Sequence, residues 1–230
     1  MSTRMGRFLF RWRSYTPLPL ILVIFLCVPP RDGGGFAPFL VAGGLGVSFL
    51  GIFIRVLAVG FAHSGTSGRE SFLRADRLNT TGLYSMSRNP LYLANILMFN
   101  GLVIVYGNLF ALLLCNLFLF GQYHLIIRSE ESYLRDKYGE DYRVYCERVP
   151  RLLPRFSGFR SPGLEFHWRR VLVRENSSLL NWGIMLILIL LLRGVRLTGV
   201  ITHPWRYAGA VAGFVLLYLT IKALRKRWFE

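Results

Sequence analysis

Residues 91–127 read LYLANILMFNGLVIVYGNLFALLLCNLFLFGQYHLII. Two apolar runs, Leu91–Tyr106 and Leu109–Ile127, flank Gly107-Asn108, a pair suited to a tight turn. This is a hydrophobic hairpin on the scale of a bilayer. The same blockwise pattern recurs at Tyr15–Val28, closed by Pro29-Pro30, at Phe36 to about Ala62, at Leu179–Leu192 and at Trp205–Leu224. Hydrophobic residues make up 53% of the chain and the mean hydropathy is +0.41. A soluble domain averages roughly 45–50% apolar residues, broken up by polar faces. The expected fold is all-α, a polytopic transmembrane helical bundle of about six spans (four to six). The first, third and fifth runs are short for a full crossing, so four full spans with one re-entrant segment is the competing architecture.

Basic residues set the expected orientation. Of 28 Lys and Arg, 23 fall in Met1–Arg13, Ser64–Pro90, Arg128–Ser178 and the tail from Lys222, against Arg31, Arg193, Arg196 and Arg206 on the other side. Arg55 is left inside the second span, where a charge calls for a partner or a polar cavity. Both termini are therefore expected to face the cytoplasm, in a bacterial inner membrane. The net charge of +16 sits beside the spans, so its expected partner is an anionic membrane surface and not nucleic acid. Cys27, Cys115 and Cys146 have no paired spacing and are expected as free thiols, and no Cys/His array has metal-ligand spacing. The chain divides into an N-terminal pair of spans (1–63), a core (64–178) and a C-terminal hairpin with a basic tail (179–230). The sequence carries no internal repeat and leaves the oligomeric state open.

Two polar clusters stand at the mouth of the central hairpin, where unsatisfied polar atoms are expensive. The first is Thr80-Thr81-Gly82-Leu83-Tyr84-Ser85-Met86-Ser87-Arg88-Asn89-Pro90-Leu91-Tyr92. Pro90 suits the first turn of a helix and Asn89 its N-cap. A helix start offers free N–H groups to an anion, and Arg88 adds a bidentate clamp. The second cluster is Glu130-Glu131. Adjacent helical residues point about 100° apart, so the two carboxylates are expected to serve different partners, one of them an arginine. Downstream, Tyr138, Tyr142 and Tyr145 read as one aromatic stripe.

Arg-Asn-Pro-x-Tyr, an apolar hairpin, Glu-Glu-x-x-Leu, Tyr-Gly-x-x-Tyr-x-x-Tyr and Val-x-Arg-x-x-Pro follow one another in that order. This series resembles the isoprenylcysteine carboxyl methyltransferase and phospholipid methyltransferase superfamily of integral membrane enzymes, over roughly Gly65 to Pro154. The resemblance implies S-adenosylmethionine as cofactor and a membrane lipid or lipid-like acceptor. It carries a first cofactor motif onto Arg88, Asn89, Pro90 and Tyr92, and a second onto Glu130 and Glu131. Asn89 stands where many members have His, and Ala94 where many have Gly. Tyr84 and Tyr142 join the expected cofactor set. Arg88, Glu130, Arg148 and Arg151 are the expected catalytic residues, and Arg55, Arg69, Arg74, His124 and Arg155 the expected acceptor-binding ones. The candidate acceptor groups are a lipid amine, a lipid phosphate and a prenyl-cysteine carboxylate, and the basic flanks favour a lipid phosphate or phospholipid over a prenylated peptide. His63 reads as interfacial and Gln122 as lining or packing. Two rival readings are an NADPH-dependent reductase of the sterol-reductase type, which needs no Glu pair, and a lipid-binding protein without catalysis.

Overall fold

Gly107 ends the first arm of the hairpin with φ 81°, a left-handed residue that suits glycine at a helix terminus. Asn108 starts the second arm, its side chain accepting from the Ala111 N–H at 3.0 Å. The computed structural model describes residues 2–13, 15–62, 77–163 and 165–229. Among them are α1 (Ser2–Trp12), α2 (Pro17–Cys27), α3 (Ala37–Gly60), α4 (Pro90–Tyr106), α5 (Leu109–Arg148), α6 (Trp168–Thr198) and α7 (Pro204–Phe229). The only extended pairing among them is an isolated bridge between Gly82 and Arg160. The protein is an all-α membrane bundle in which α3, α5, α6 and α7 are long and apolar enough to cross a bilayer.

The shorter helices depart from this pattern for physical reasons. With 17 residues, α4 rises about 25 Å. The 11 residues of α2 rise only about 16 Å, yet its flanks reach both ends of the α4–α5 hairpin. Val28 and Pro29 carbonyls accept from the Tyr106 hydroxyl (2.6 Å) and the Asn108 amide (2.7 Å) at the turn. At the other end, α1 lies so close to α5 that a Cβ on Gly6 would sit 2.5 Å from the Leu125 carbonyl. The fifth apolar run begins far earlier than its hydropathy indicates: α6 starts at Trp168 and passes unbroken through the expected boundary at 178/179.

The closest-packed helix pair of the bundle is α3 with α4. A Cβ on Gly44 would lie 2.6 Å from the Gly101 carbonyl, and one on Gly51 2.6 Å from that of Ala94. Ser48 donates to the Met98 carbonyl at 3.0 Å between them. In a membrane such small-residue faces, packing backbone on backbone, replace the hydrophobic drive. Ala94 is fully buried, so the close approach at this level is supplied by Gly51 of the facing helix.

Charges at helix ends secure the remaining joints. Arg193, buried on α6, donates to the Val105 carbonyl at 2.5 Å, where α4 exposes its last carbonyls. Arg170 donates to the Ala62 carbonyl just past α3, and the His167 N–H bonds the Gly60 carbonyl at 3.1 Å. Helix α7 rests on α6 through Phe214 against Gly183 and through the Asn176 amide on the Tyr218 carbonyl at 3.0 Å. Gly51→Val should lose about 1–3 kcal/mol by overpacking, lowering the unfolding midpoint in detergent. Gly43→Val, with nothing near its Cβ position, should leave that midpoint in place.

Candidate functional site

The loop ahead of α4 is zipped to the loop behind α5. The Gly82 N–H meets the Arg160 carbonyl at 2.8 Å, Arg155 N–H that of Met86 at 2.9 Å, and Arg88 N–H that of Pro150 at 2.9 Å. Side chains close the gaps between these rungs. Ser85 donates to the Gly82 carbonyl (2.7 Å) and accepts from the Arg160 N–H (2.9 Å), while Ser87 donates to the Leu152 carbonyl (2.8 Å). Gly82 sits at φ 60° where the strip begins. Asn89 occupies the N-cap position of α4 but makes no side-chain cap there. Its amide instead donates to the Arg151 carbonyl at 2.8 Å, so the loop partner wins the side chain that the capping rule assigns to the helix.

Within this frame the two adjacent glutamates part company, as their 100° offset requires. Glu131 turns to the zipped loops, with Arg88 Nη1 3.0 Å from one oxygen and Arg151 Nη2 3.0 Å from the other. Arg88 also contacts the Cys146 sulfur at 2.7 Å. Burial alone would pull the Arg88 guanidinium down, but Glu131, Cys146 and Tyr142 together outweigh it and hold the group above the usual arginine range. Glu130 faces the other way, toward a cavity and within hydrogen-bonding reach of the Tyr92 hydroxyl.

That cavity, about 770 Å³, is the principal feature of the site. Its mouth is lined by Arg13, Arg77, Tyr84, Arg88, Asn89, Glu130, Glu131, Tyr142 and Tyr145. Gly139, at φ 50° inside α5, bends the helix so that its last turns fold onto the motif loop. The expected three-tyrosine stripe persists across the bend, with Tyr138 packed against Tyr142 and Tyr145. Tyr142 and Tyr145 are buried, and the Tyr145 hydroxyl donates to the Tyr84 carbonyl at 2.7 Å. Enclosure, reinforced by Glu130, pushes the Tyr84 phenol well above the usual tyrosine range, so it stays protonated.

Deeper in, between α3, α4, α5 and α6, a second polar group lines the same cavity. Arg55 bonds Glu175 through Nε (2.6 Å) and Nη2 (3.0 Å), and also bonds Asn95 and Ser178. Glu175 is thus the partner that Arg55 demands at this depth. Tyr92 and Tyr123 stack with ring centroids 4.9 Å apart between the two polar groups. Beyond them the wall is apolar, with Met98, Phe99, Leu102, Ile184, Met185 and Leu188.

Of the residues expected in the site, Tyr84, Arg88, Asn89, Pro90, Tyr92, Glu130, Glu131, Tyr142 and Arg55 line one cavity. Arg151 reaches it only through Glu131, and His124 is exposed beside Arg151 at 3.4 Å. Arg148 and Arg155 are exposed at the surface, off the cavity wall. Gln122 is buried on α5, away from that wall. Arg69, Arg74 and His63 lie outside the described residues. Sequence reasoning passed over Arg13, Asn95, Glu175 and Trp182. Glu175 had one legible signal, as an acid lying close behind a basic cluster and available to pair with a charge inside α3.

Residues 39–141 match the phospholipid methyltransferase family. The chain is 33% identical over 117 residues to the nickel-cobalt-cadmium resistance protein NccN of Alcaligenes xylosoxydans xylosoxydans, covering 51% of this chain and 53% of that one. It is 30% identical over 129 residues to the cobalt-zinc-cadmium resistance protein CzcN of Cupriavidus metallidurans, 56% of each chain. It is also 30% identical over 115 residues to the protein-S-isoprenylcysteine O-methyltransferase of Schizosaccharomyces pombe, 48% of each. The chain therefore spans about half the length of the curated relatives it matches. No solved structure matches it significantly.

Glu131→Ala would strand Arg88 and Arg151 against each other. Removing one member of a buried ion pair loses roughly 3–5 kcal/mol, with the lower end expected here because the Arg151 side chain is 31% exposed. A clear drop in the unfolding midpoint should follow, which Glu130→Gln should not reproduce.

Proposed function

We propose, from the match of residues 39–141 to the phospholipid methyltransferase family and the likeness to an isoprenylcysteine O-methyltransferase, that the chain is an S-adenosylmethionine-dependent methyltransferase acting on the polar head of a membrane-embedded lipid. A lipid phosphate or phospholipid head is the favoured acceptor. The observation that carries this reading is one cavity with a charged, aromatic mouth and an apolar inner wall. Such a volume lies within the roughly 300–1,000 Å³ typical of ligand sites.

The residues present fit the cofactor. It bears a sulfonium, an ammonium, a carboxylate and two ribose hydroxyls. Glu130 stands outside the Arg88–Glu131–Arg151 clamp and can accept from the ammonium or the hydroxyls. The rings of Tyr84, Tyr92, Tyr142 and Tyr145 offer π faces for a cation. Arg88 Nε is buried without a hydrogen-bond partner among the described residues, a donor suited to the carboxylate. When bound, the cofactor supplies an electrophilic methyl group.

The chain's own work is alignment and dehydration. The zipped loops hold Glu130 and Tyr84 at fixed positions on the cavity wall, and Phe10 and Arg13 of the N-terminal segment help enclose the mouth. An acceptor that is already anionic needs no general base, and Arg13 and Arg77 on the wall favour such a head. The family match, the Glu pair's division of labour and this basic rim all support the reading. The inner membrane and a cytoplasmic mouth, inferred from the basic-residue asymmetry, belong to the same proposal.

Calorimetry of the purified protein in detergent with S-adenosylhomocysteine tests it. Wild type should bind, and Glu130→Gln should weaken binding about tenfold or more, the scale of a lost hydrogen bond to a charged group. A well-folded wild type that does not bind, or a Glu130→Gln variant that binds equally, would contradict the proposal.

A further inference from the structure

Helix α6 lies wholly outside the matched residues 39–141, yet it forms one wall of the cavity. Its lining side chains Ser178, Asn181, Trp182, Met185 and Leu188 stand at i, i+3, i+4, i+7 and i+10, a single helical face. That face runs from polar to apolar along its length, the same order as a lipid's head and chain.

Three observations mark the polar end as built for a ligand. The Trp182 side chain is buried, and its indole N–H has no hydrogen-bond partner among the described residues. Indole nitrogen donates only, so a ligand atom that satisfies it must be an acceptor. One side of the ring is fixed against Phe49, with centroids 5.5 Å apart. Asn181 is exposed on an otherwise apolar stretch of α6 that also lines the cavity. An amide in that setting is expensive to leave facing hydrocarbon. Finally, Arg55 lines the cavity at the same level, oriented by its two bonds to Glu175 and 3.4 Å from the Ser178 hydroxyl.

We propose that the Ser178–Trp182 face of α6, together with Arg55 held by Glu175, binds the anionic oxygen head of the lipid, and that Ile184, Met185 and Leu188 seat its hydrocarbon chain. Donors dominate this face, so it selects a phosphate or carboxylate oxygen over an uncharged head. Glu175 orients Arg55 and offsets its charge, and a singly charged head suits the pair better than a multiply charged one. Only the description of this lipid as the methyl acceptor rests on the methyltransferase reading; the binding site itself stands on α6. Lipid choice is then a property of α6, outside the part of the chain that the family shares.

The test uses the full chain in dodecylmaltoside, titrated with dioctanoyl phosphatidylglycerol, with N-acetyl-farnesylcysteine and with uncharged dioctanoylglycerol. At least one of the two anions should bind about tenfold more tightly than dioctanoylglycerol, and Trp182→Phe and Ser178→Ala should each erase most of that difference. The anion that binds tells whether the head is a lipid phosphate or a prenyl-cysteine carboxylate. S-adenosylhomocysteine affinity should be unchanged in both variants, which also reports that they fold. The proposal is overturned if neither anion outbinds the neutral lipid, or if both variants bind as wild type does. Loss of S-adenosylhomocysteine binding by wild type, with the lipid preferences intact, would remove the methyltransferase reading and leave this site standing.

Discussion

A carboxylate clamped between two guanidinium groups holds this structure's working end together. Glu131, with Arg88 at 3.0 Å and Arg151 at 3.0 Å, joins the loop before α4, the middle of α5 and the loop after α5. Neither loop is rigid by its own local rules, since each has little regular structure beyond one 3-10 turn. Once the three charges are enclosed, each depends on the others for compensation, and breaking one contact exposes the rest. The backbone rungs from Gly82–Arg160 to Arg88–Pro150 follow this clamp and keep both loops in register.

That arrangement decides what the neighbouring glutamate can do. Because Glu131 is committed to the loops, the helical offset turns Glu130 into the cavity, outside the Arg88–Arg151 clamp. The division sets one carboxylate to hold the loops and leaves its neighbour on the cavity wall. The bend at Gly139 completes the mouth by returning Tyr142 and Tyr145 to the motif loop. On the membrane side, the glycine contacts of α3 and α4 bring Arg55 and Asn95 close enough to bond. Two polar groups, one at the mouth and one deep, thereby share a cavity whose remaining wall is apolar.

Features governed by nearest neighbours were legible in the sequence. The turn at Gly107-Asn108, the start of α4 at Pro90 and the opposed directions of Glu130 and Glu131 follow from local geometry and are found as expected. Features governed by distant partners were not. Asn89 leaves its capping role because the Arg151 carbonyl, 62 positions away, is the better acceptor. Glu175 is 120 positions from Arg55, and its place behind a basic cluster marks it only as an acid in want of a partner, without naming Arg55. The early start of α6 at Trp168 was hidden by Arg169, Arg170, Arg174 and Glu175, which hydropathy reads as surface. In the structure Arg170 and Glu175 bond to α3 or the residues just past it. Local bending at Gly139 was equally invisible, since a glycine in a helical run does not announce its dihedral angles.

The central claim is that the mouth of this cavity and its lipid-facing wall serve one reaction. The most direct measurement incubates purified protein, reconstituted in vesicles of mixed phospholipids, with S-adenosylmethionine labelled in its methyl group, followed by extraction of the lipids. The account predicts label in the lipid phase with wild type and little or none with Glu130→Gln of equal thermal stability. Label absent from every lipid class with a well-folded, cofactor-binding wild type would contradict it.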